Sequence, residues 1–195
     1  FYSGDRWSEA LRGERVPRAV LADAFGLLSQ VGAAPLRTLE VEDLGGRALL
    51  LGGPEFAGRP LLIQVFGSWC PNCHDEAALL CEYQRRFEPE GLALLGLAAE
   101  FGDDPARDRV QVERYAERHG IGYPLAILSK ADKAAAGEAL GLSGPLVAFP
   151  TTLFVARDGH ITALHSGFSG PATGADHQRL REEFERRIEA LLASE

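Results

Sequence analysis

The sequence predicts an α/β domain with a mixed sheet and helices on both faces. Three observations carry this. The run Leu61-Leu62-Ile63-Gln64-Val65-Phe66 is almost wholly apolar, as a strand covered on both sides requires. Apolar runs then alternate with segments of helical period through the middle of the chain, the pattern of parallel β-α-β units. Near the end, two apolar runs flank Arg157-Asp158-Gly159, a hairpin signal that adds antiparallel strands.

Each element follows in order. Residues 1–16 are polar and irregular, and Pro17 suits a first helical turn. Val20, Leu21, Ala24, Phe25, Leu27 and Leu28 repeat at helical spacing up to Gly32, and Gly-Ala-Ala-Pro at 32–35 reads as a linker. This divides the chain into a largely helical N-terminal extension, 1–34, and a domain, 35–195. The runs 36–41 and 47–51 flank Asp43-Leu44-Gly45-Gly46 and predict a hairpin. After the strand 61–66, Ala78, Leu79, Cys81, Tyr83 and Phe87 predict a helix over 75–87. A strand is expected over 92–98, and a helix over 103–119 with Val110, Val112, Tyr115 and Ala116 inward. A short strand over 123–128 and a helix over 132–140, stopped by Gly141, come next. Strands over 151–156 and 160–165 form the hairpin. The segment 166–174 resembles a phosphate loop but lacks its lysine, so it reads as a structural turn. Leu180, Phe184, Ile188, Leu191 and Leu192 predict the final helix, 176–193.

Composition narrows the function. A formal net charge of -8 argues against nucleic acid as a partner, because phosphates demand basic patches. No apolar run approaches the roughly 20 residues that span a bilayer. The chain has no Met, which points to an N-terminal segment removed before it, a signal peptide or anchor among the options. Three cysteines are too few for a stapled scaffold but suit one reactive pair and one buried thiol.

The pair is Cys70 and Cys73 in Trp69-Cys70-Pro71-Asn72-Cys73, at a strand-to-helix junction. Two thiols at this spacing suit disulfide exchange. Two other readings compete. His74 completes C-x-x-C-H, the attachment motif of c-type haem, but the Met that would supply a further ligand is absent. Zinc would need four ligands, and His119, His160, His165 and His177 form no second cluster. A dithiol site is favoured, and it calls for no cofactor and no metal. A helix start favours the Cys70 thiolate, with an expected pKa of about 4–8 and an exposed sulfur. Cys81, about 12 Å further along the helix, is too far to bridge and reads as an inert buried thiol.

Phe66-Gly67-Ser68-Trp69-Cys70-Pro71-Asn72-Cys73 with Glu76, and Phe149-Pro150-Thr151-Thr152-Leu153-Phe154-Val155 followed by Asp158-Gly159-His160-Ile161, resemble the thioredoxin superfamily. Within it they are similar to the extracytoplasmic TlpA/ResA-like thiol-disulfide oxidoreductases. The resemblance covers roughly four-fifths of the chain, from about Leu36 onward. It implies a thioredoxin-like three-layer fold with an N-terminal hairpin.

The resemblance also implies roles. Cys70 attacks, Cys73 resolves, and Glu76 moves protons near the pair. Pro150 follows a cis peptide beside the cysteines and leaves the Phe149 backbone free to pair with an extended substrate. Trp69 and Pro71 border the site. Gln64 stands where the resembled cytosolic thioredoxins carry a buried acid, so another group must take the proton. Glu76 is the first candidate and Glu100 the second, against a reading of Glu100 as a solvated loop acid. His74 is expected to be exposed. The implied partners are protein disulfide or dithiol clients, apocytochrome c maturation among them, and a membrane-bound thiol reductant. The implied location is periplasmic or otherwise extracytoplasmic. The rival function is a redox-sensing or binding module that uses the same disulfide as a switch. A peroxidase of the same fold would need Pro-x-x-x-Thr-x-x-Cys, which is absent.

Overall fold

In the computed structural model, residues 35–194 are described. The expected helical extension, 1–34, lies outside them. Along the chain run β1 (Glu40–Glu42), β2 (Ala48–Leu50), β3 (Leu61–Phe66), α1 (Pro71–Phe87), β4 (Ala93–Glu100), α2 (Pro105–His119), β5 (Leu125–Lys130), α3 (Lys133–Ala139), β6 (Thr151–Val155), β7 (Ile161–Ser166) and α4 (Ala175–Ala193). Five strands form one sheet in the order β5-β4-β3-β6-β7. β3 runs parallel to β4 and antiparallel to β6, so the sheet is mixed as expected.

β3 is buried along its whole length because both faces of the sheet are covered. Its side chains alternate between two cores. Leu62 and Phe66 face α1, α2 and α4. Leu61, Ile63 and Val65 face Leu49 and Leu51 of the β1–β2 hairpin segment and Ala136 and Leu140 of the α3 segment. Gln64 shares its parity with Leu62 and Phe66, which turns it toward α1. It stands level with Gly96 on β4 and Thr152 on β6.

α1 begins four residues earlier than its apolar spacing predicts. Cys70 is the N-cap and Pro71 the first helical residue, where a missing N–H costs no bond. Periodicity cannot register a first turn that faces a site. Cys73, Glu76, Ala77, Leu80, Tyr83 and Phe87 form the buried stripe, whereas Ala78 is exposed. On α2 the buried residues are Val112 and Tyr115, and Val110 is 41 % exposed, contrary to expectation. Asp104 caps α2 by accepting from the N–H groups of Ala106 and Arg107, and Gly120 ends it in the left-handed conformation at φ 61°. The first hairpin arm is shorter than predicted. Leu36–Thr38 form a 3-10 turn, and the paired strand is only Glu40–Glu42. The 166–174 segment holds a 3-10 turn, Pro171–Thr173, before α4.

α4 sits on the same face as α1. Phe184 is fully buried, its ring edge-on to Phe154 at 5.1 Å. The two parallel crossovers carry β3 and β4 to the same end of the sheet, where open α/β sheets place their sites.

Candidate active site

Phe66 ends β3, and the chain turns through Gly67, Ser68 and Trp69 before α1. This turn is held from several sides. The Ser68 N–H donates to Glu100 Oε1 at 2.7 Å and its hydroxyl to Oε2 at 2.8 Å. The Trp69 indole N–H donates to Ala99 O at 3.0 Å. Gly67 must lack a side chain, because a Cβ there would stand 2.3 Å from the indole nitrogen. Glu100 is therefore the buried last residue of β4, not a solvated loop acid. Its carboxyl is raised by burial, against the lowering effect of the two Ser68 bonds.

The turn delivers Cys70 to the helix start. The residue is only 5 % exposed, so its sulfur is more sheltered than the sequence suggests. Phe149 supplies part of the cover, its carbonyl 3.6 Å from Cys70 Sγ. Cys70 and Cys73 are both free thiols. A hydrogen bond from Cys73 lowers Cys70 to about 7; burial opposes this, and the N–H groups of Cys73 and Asn72 assist it. Cys73 moves the other way. Burial, then its bond to Cys70, hold it well above an ordinary thiol. One thiol is thus shifted toward its nucleophilic form near neutrality although its residue is sheltered, and its neighbour retains its proton.

Glu76 lies one turn beyond Cys73, on the same face of α1. It is fully buried, and its carboxyl reaches the sheet. Gln64 Nε2 donates to Glu76 Oε2 at 2.8 Å, and the Thr152 hydroxyl donates to Oε1 at 2.7 Å. Desolvation raises Glu76 to about 7, and these two bonds limit the rise. Gln64 Oε1 is buried without a hydrogen-bond partner. Tyr115 of α2 donates its hydroxyl to Cys73 O at 2.7 Å and stacks on Phe66 at 4.6 Å, pinning the first turn of α1.

The Phe149–Pro150 peptide is cis, as the resemblance implies. Pro150 O accepts from the Gly167 N–H at 2.8 Å, joining this loop to the one after β7. Trp69 is 39 % exposed, edge-on to Phe149 at 5.7 Å. The structure thus gathers Cys70, Cys73, Glu76, Trp69, Pro71, Phe149 and Pro150 around one helix start.

His74 departs from expectation. It is half-buried: one ring nitrogen lies 2.9 Å from Ser68 O and the other 2.6 Å from His119 Nε2. Ser68 O can only accept, so His74 Nε2 carries a proton. Cys81 is buried as expected, donating weakly to His119 O at 3.6 Å. Among the described residues no group of three or more His, Cys, Asp or Glu side chains could hold a metal ion. Thr152, Tyr115, Ser68, His119 and Phe101 are site neighbours that sequence reasoning missed. Ser68 and Thr152 lie within the resembled motifs, and Phe101 carried a weaker signal, an aromatic residue followed by glycine at a strand end. A cavity of about 460 Å³, lined by Leu44, Phe56, Leu92 and Tyr123 among others, opens at the opposite end of the sheet and takes no part in the site.

Several known proteins are similar to this chain. The thiol-disulfide oxidoreductase ResA of Geobacillus thermodenitrificans is 27% identical over 127 residues, covering 65% of this chain and 64% of that protein. The thiol:disulfide interchange protein DsbE of Pasteurella multocida is 27% identical over 110 residues, covering 56% of this chain and 52% of that protein. The chain therefore spans less than two thirds of the length of these curated relatives. Among solved structures, a thiol:disulfide interchange protein of the thioredoxin family from Chlorobium tepidum superposes with a TM-score of 0.59 at 17% identity, over 83% of this chain and 99% of that one. A secreted Mycobacterium tuberculosis disulfide oxidoreductase does so at 0.55 and 17%, over 79% and 96%. These likenesses establish a thioredoxin-like fold. The Redoxin family matches residues 13–178, and to that family the chain belongs.

Proposed function

We propose that this chain is a thiol-disulfide oxidoreductase that reduces disulfides in extracytoplasmic protein clients through Cys70 and Cys73. The observation that carries the reading is the division of labour between the sulfurs: Cys70 near 7 at a helix start, Cys73 buried and held protonated. The Cys70 thiolate attacks one sulfur of a client disulfide. A Cys70–client bond forms, and the other client sulfur leaves as a thiolate. Cys73 then loses its proton, attacks Cys70 Sγ and expels the second client thiolate. Two electrons have passed to the client, and Cys70–Cys73 is oxidised. Glu76 is the group placed to take the Cys73 proton, since at about 7 it can both accept and release one near neutral pH.

Several points support reduction as the direction. A nucleophilic thiol at about 7 matches the acidity of reducing thioredoxin rather than of strongly oxidising DsbA, about 3.5. Relatives named ResA and DsbE, and a solved relative described as secreted, support the extracytoplasmic setting. Recharging there calls for a thiol donor, for which a membrane-bound reductant is the partner proposed. No helix among the described residues is long and apolar enough to cross a membrane.

The test is turnover. With a dithiol supplied, the wild type should reduce a protein disulfide repeatedly. Cys70→Ser should abolish exchange, and Cys73→Ser should accumulate a mixed disulfide through Cys70. Limiting iodoacetamide should label Cys70 first. Labelling of Cys73 or Cys81 ahead of Cys70, or a single redox change without turnover, would replace the enzyme by a redox switch.

A further inference from the structure

Beside Cys70 the molecule exposes an aromatic surface that disulfide exchange itself does not require. Among the described residues four large hydrophobic side chains are exposed: Leu50, Trp69, Phe101 and Val110. Two of the four touch. The Phe101 ring lies 4.4 Å from Trp69, and Trp69 lies 5.7 Å from Phe149. Phe101, at 68 %, is the most exposed of the four.

The surface is built rather than loose. The Ala99 carbonyl and the bare Cα of Gly67 seat the indole. The Asp108 carboxyl lies against the bare Cα of Gly102, next to Phe101. Of the two acids that follow, Asp103 pairs with Lys130, and Asp104 is occupied capping α2. Three rings in series favour an apolar occupant.

The series has a direction. Phe149, at one end, has its carbonyl 3.6 Å from Cys70 Sγ, and Phe101 stands at the other end. An extended chain advances about 3.3 Å per residue. A client strand whose cysteine meets Cys70 therefore reaches Phe101 two or three residues later. We propose that Trp69 and Phe101 form a docking shelf for an aromatic or large aliphatic side chain two or three positions from the client's disulfide-bonded cysteine. Phe101 is then a specificity-determining residue. The proposal rests on the disulfide-exchange reading and names a class of client for it.

Two disulfide-bonded peptides that differ only in Phe or Ser at the third position from the cysteine provide the test. The readout is the ratio of their kcat/KM values within each full-length protein. The wild type should prefer the Phe peptide about tenfold, the scale of a half-buried apolar side chain. Phe101→Ala should bring the ratio close to one, and Phe101→Leu should restore much of it. A wild-type ratio near one, or a preference that survives Phe101→Ala, overturns the shelf. Calorimetric binding of both peptides to Cys70→Ser, with and without Phe101→Ala, gives the same comparison without turnover. If no peptide is turned over, the exchange reading falls, and the binding ratio still decides the shelf.

Discussion

In the proposed mechanism Glu76 carries the proton and Gln64 supports both of its charge states. When Glu76 is ionised, the Gln64 amide nitrogen donates to it at 2.8 Å. When Glu76 is protonated on that oxygen, two donors would face each other. Rotating the Gln64 amide by half a turn brings its unpartnered Oε1 into place as an acceptor. A neutral amide on the strand thus serves both charge states of an acid on the helix. Glu76→Gln fits the same space and keeps the Thr152 bond, but it cannot accept a proton. The expected result is a resolving step slowed about 10²-fold, with the Cys70 attack rate little changed. Stopped-flow quenching of the mixed disulfide separates the two rates. The family resemblance pointed to Glu76 and marked Gln64 as standing where an acid was expected. Thr152 stood in the motif that carries the resemblance, but its bond to Glu76 stayed hidden, because it spans 76 residues of chain.

The elements were legible where one physical signal dominated. The β3 limits follow from a run that is apolar but for Gln64, and α4 from a stripe ending at Leu191. Legibility failed where tertiary contact overrode local pattern. Val110 has the right chemistry for a core position, yet α2 turns Val112 and Tyr115 inward instead. The His74–His119 contact joins the first turn of α1 to the last turn of α2 and appears only once both are packed. α2 matters to the site because Tyr115 holds the Cys73 carbonyl. Its stability depends partly on Asp104, whose side chain accepts two N–H groups of the first turn. Asp104→Ala should cost about 1 kcal/mol in urea unfolding, and Asp104→Asn only a few tenths. Equal losses for the two variants would assign the effect to something other than the cap.

At the scale of the molecule, two buried titrating groups oppose each other. Glu76 is raised from 4.5 to about 7, so the native state holds a proton that the unfolded chain has released; stability falls as pH rises between those values. His165 is lowered from 6.5 to about 4, chiefly by burial, so the unfolded chain takes up a proton that the native state refuses; stability falls as pH drops through that interval. Each effect amounts to roughly 3 kcal/mol at most. Between about pH 4.5 and 6.5 they should largely cancel. Removing one should expose the other: across that window Glu76→Gln should gain stability with rising pH relative to wild type, and His165→Phe should lose it. Denaturation midpoints at pH 4.5, 5.5 and 6.5 provide the check, and parallel curves for all three proteins would refute the opposition. The two groups occupy neighbouring ground, since Thr152 pairs in register with His165 while bonding to Glu76. Both sulfurs and the acid ride on α1, whereas Gln64 and Thr152 are anchored in the sheet. A shift of α1 at Glu76 on forming a Cys70–Cys73 bond would change the distance of the carboxyl from these two sheet partners. The expected outcome, under the disulfide-exchange reading, is a Glu76 carboxyl band that shifts between the dithiol and disulfide forms in infrared difference spectra.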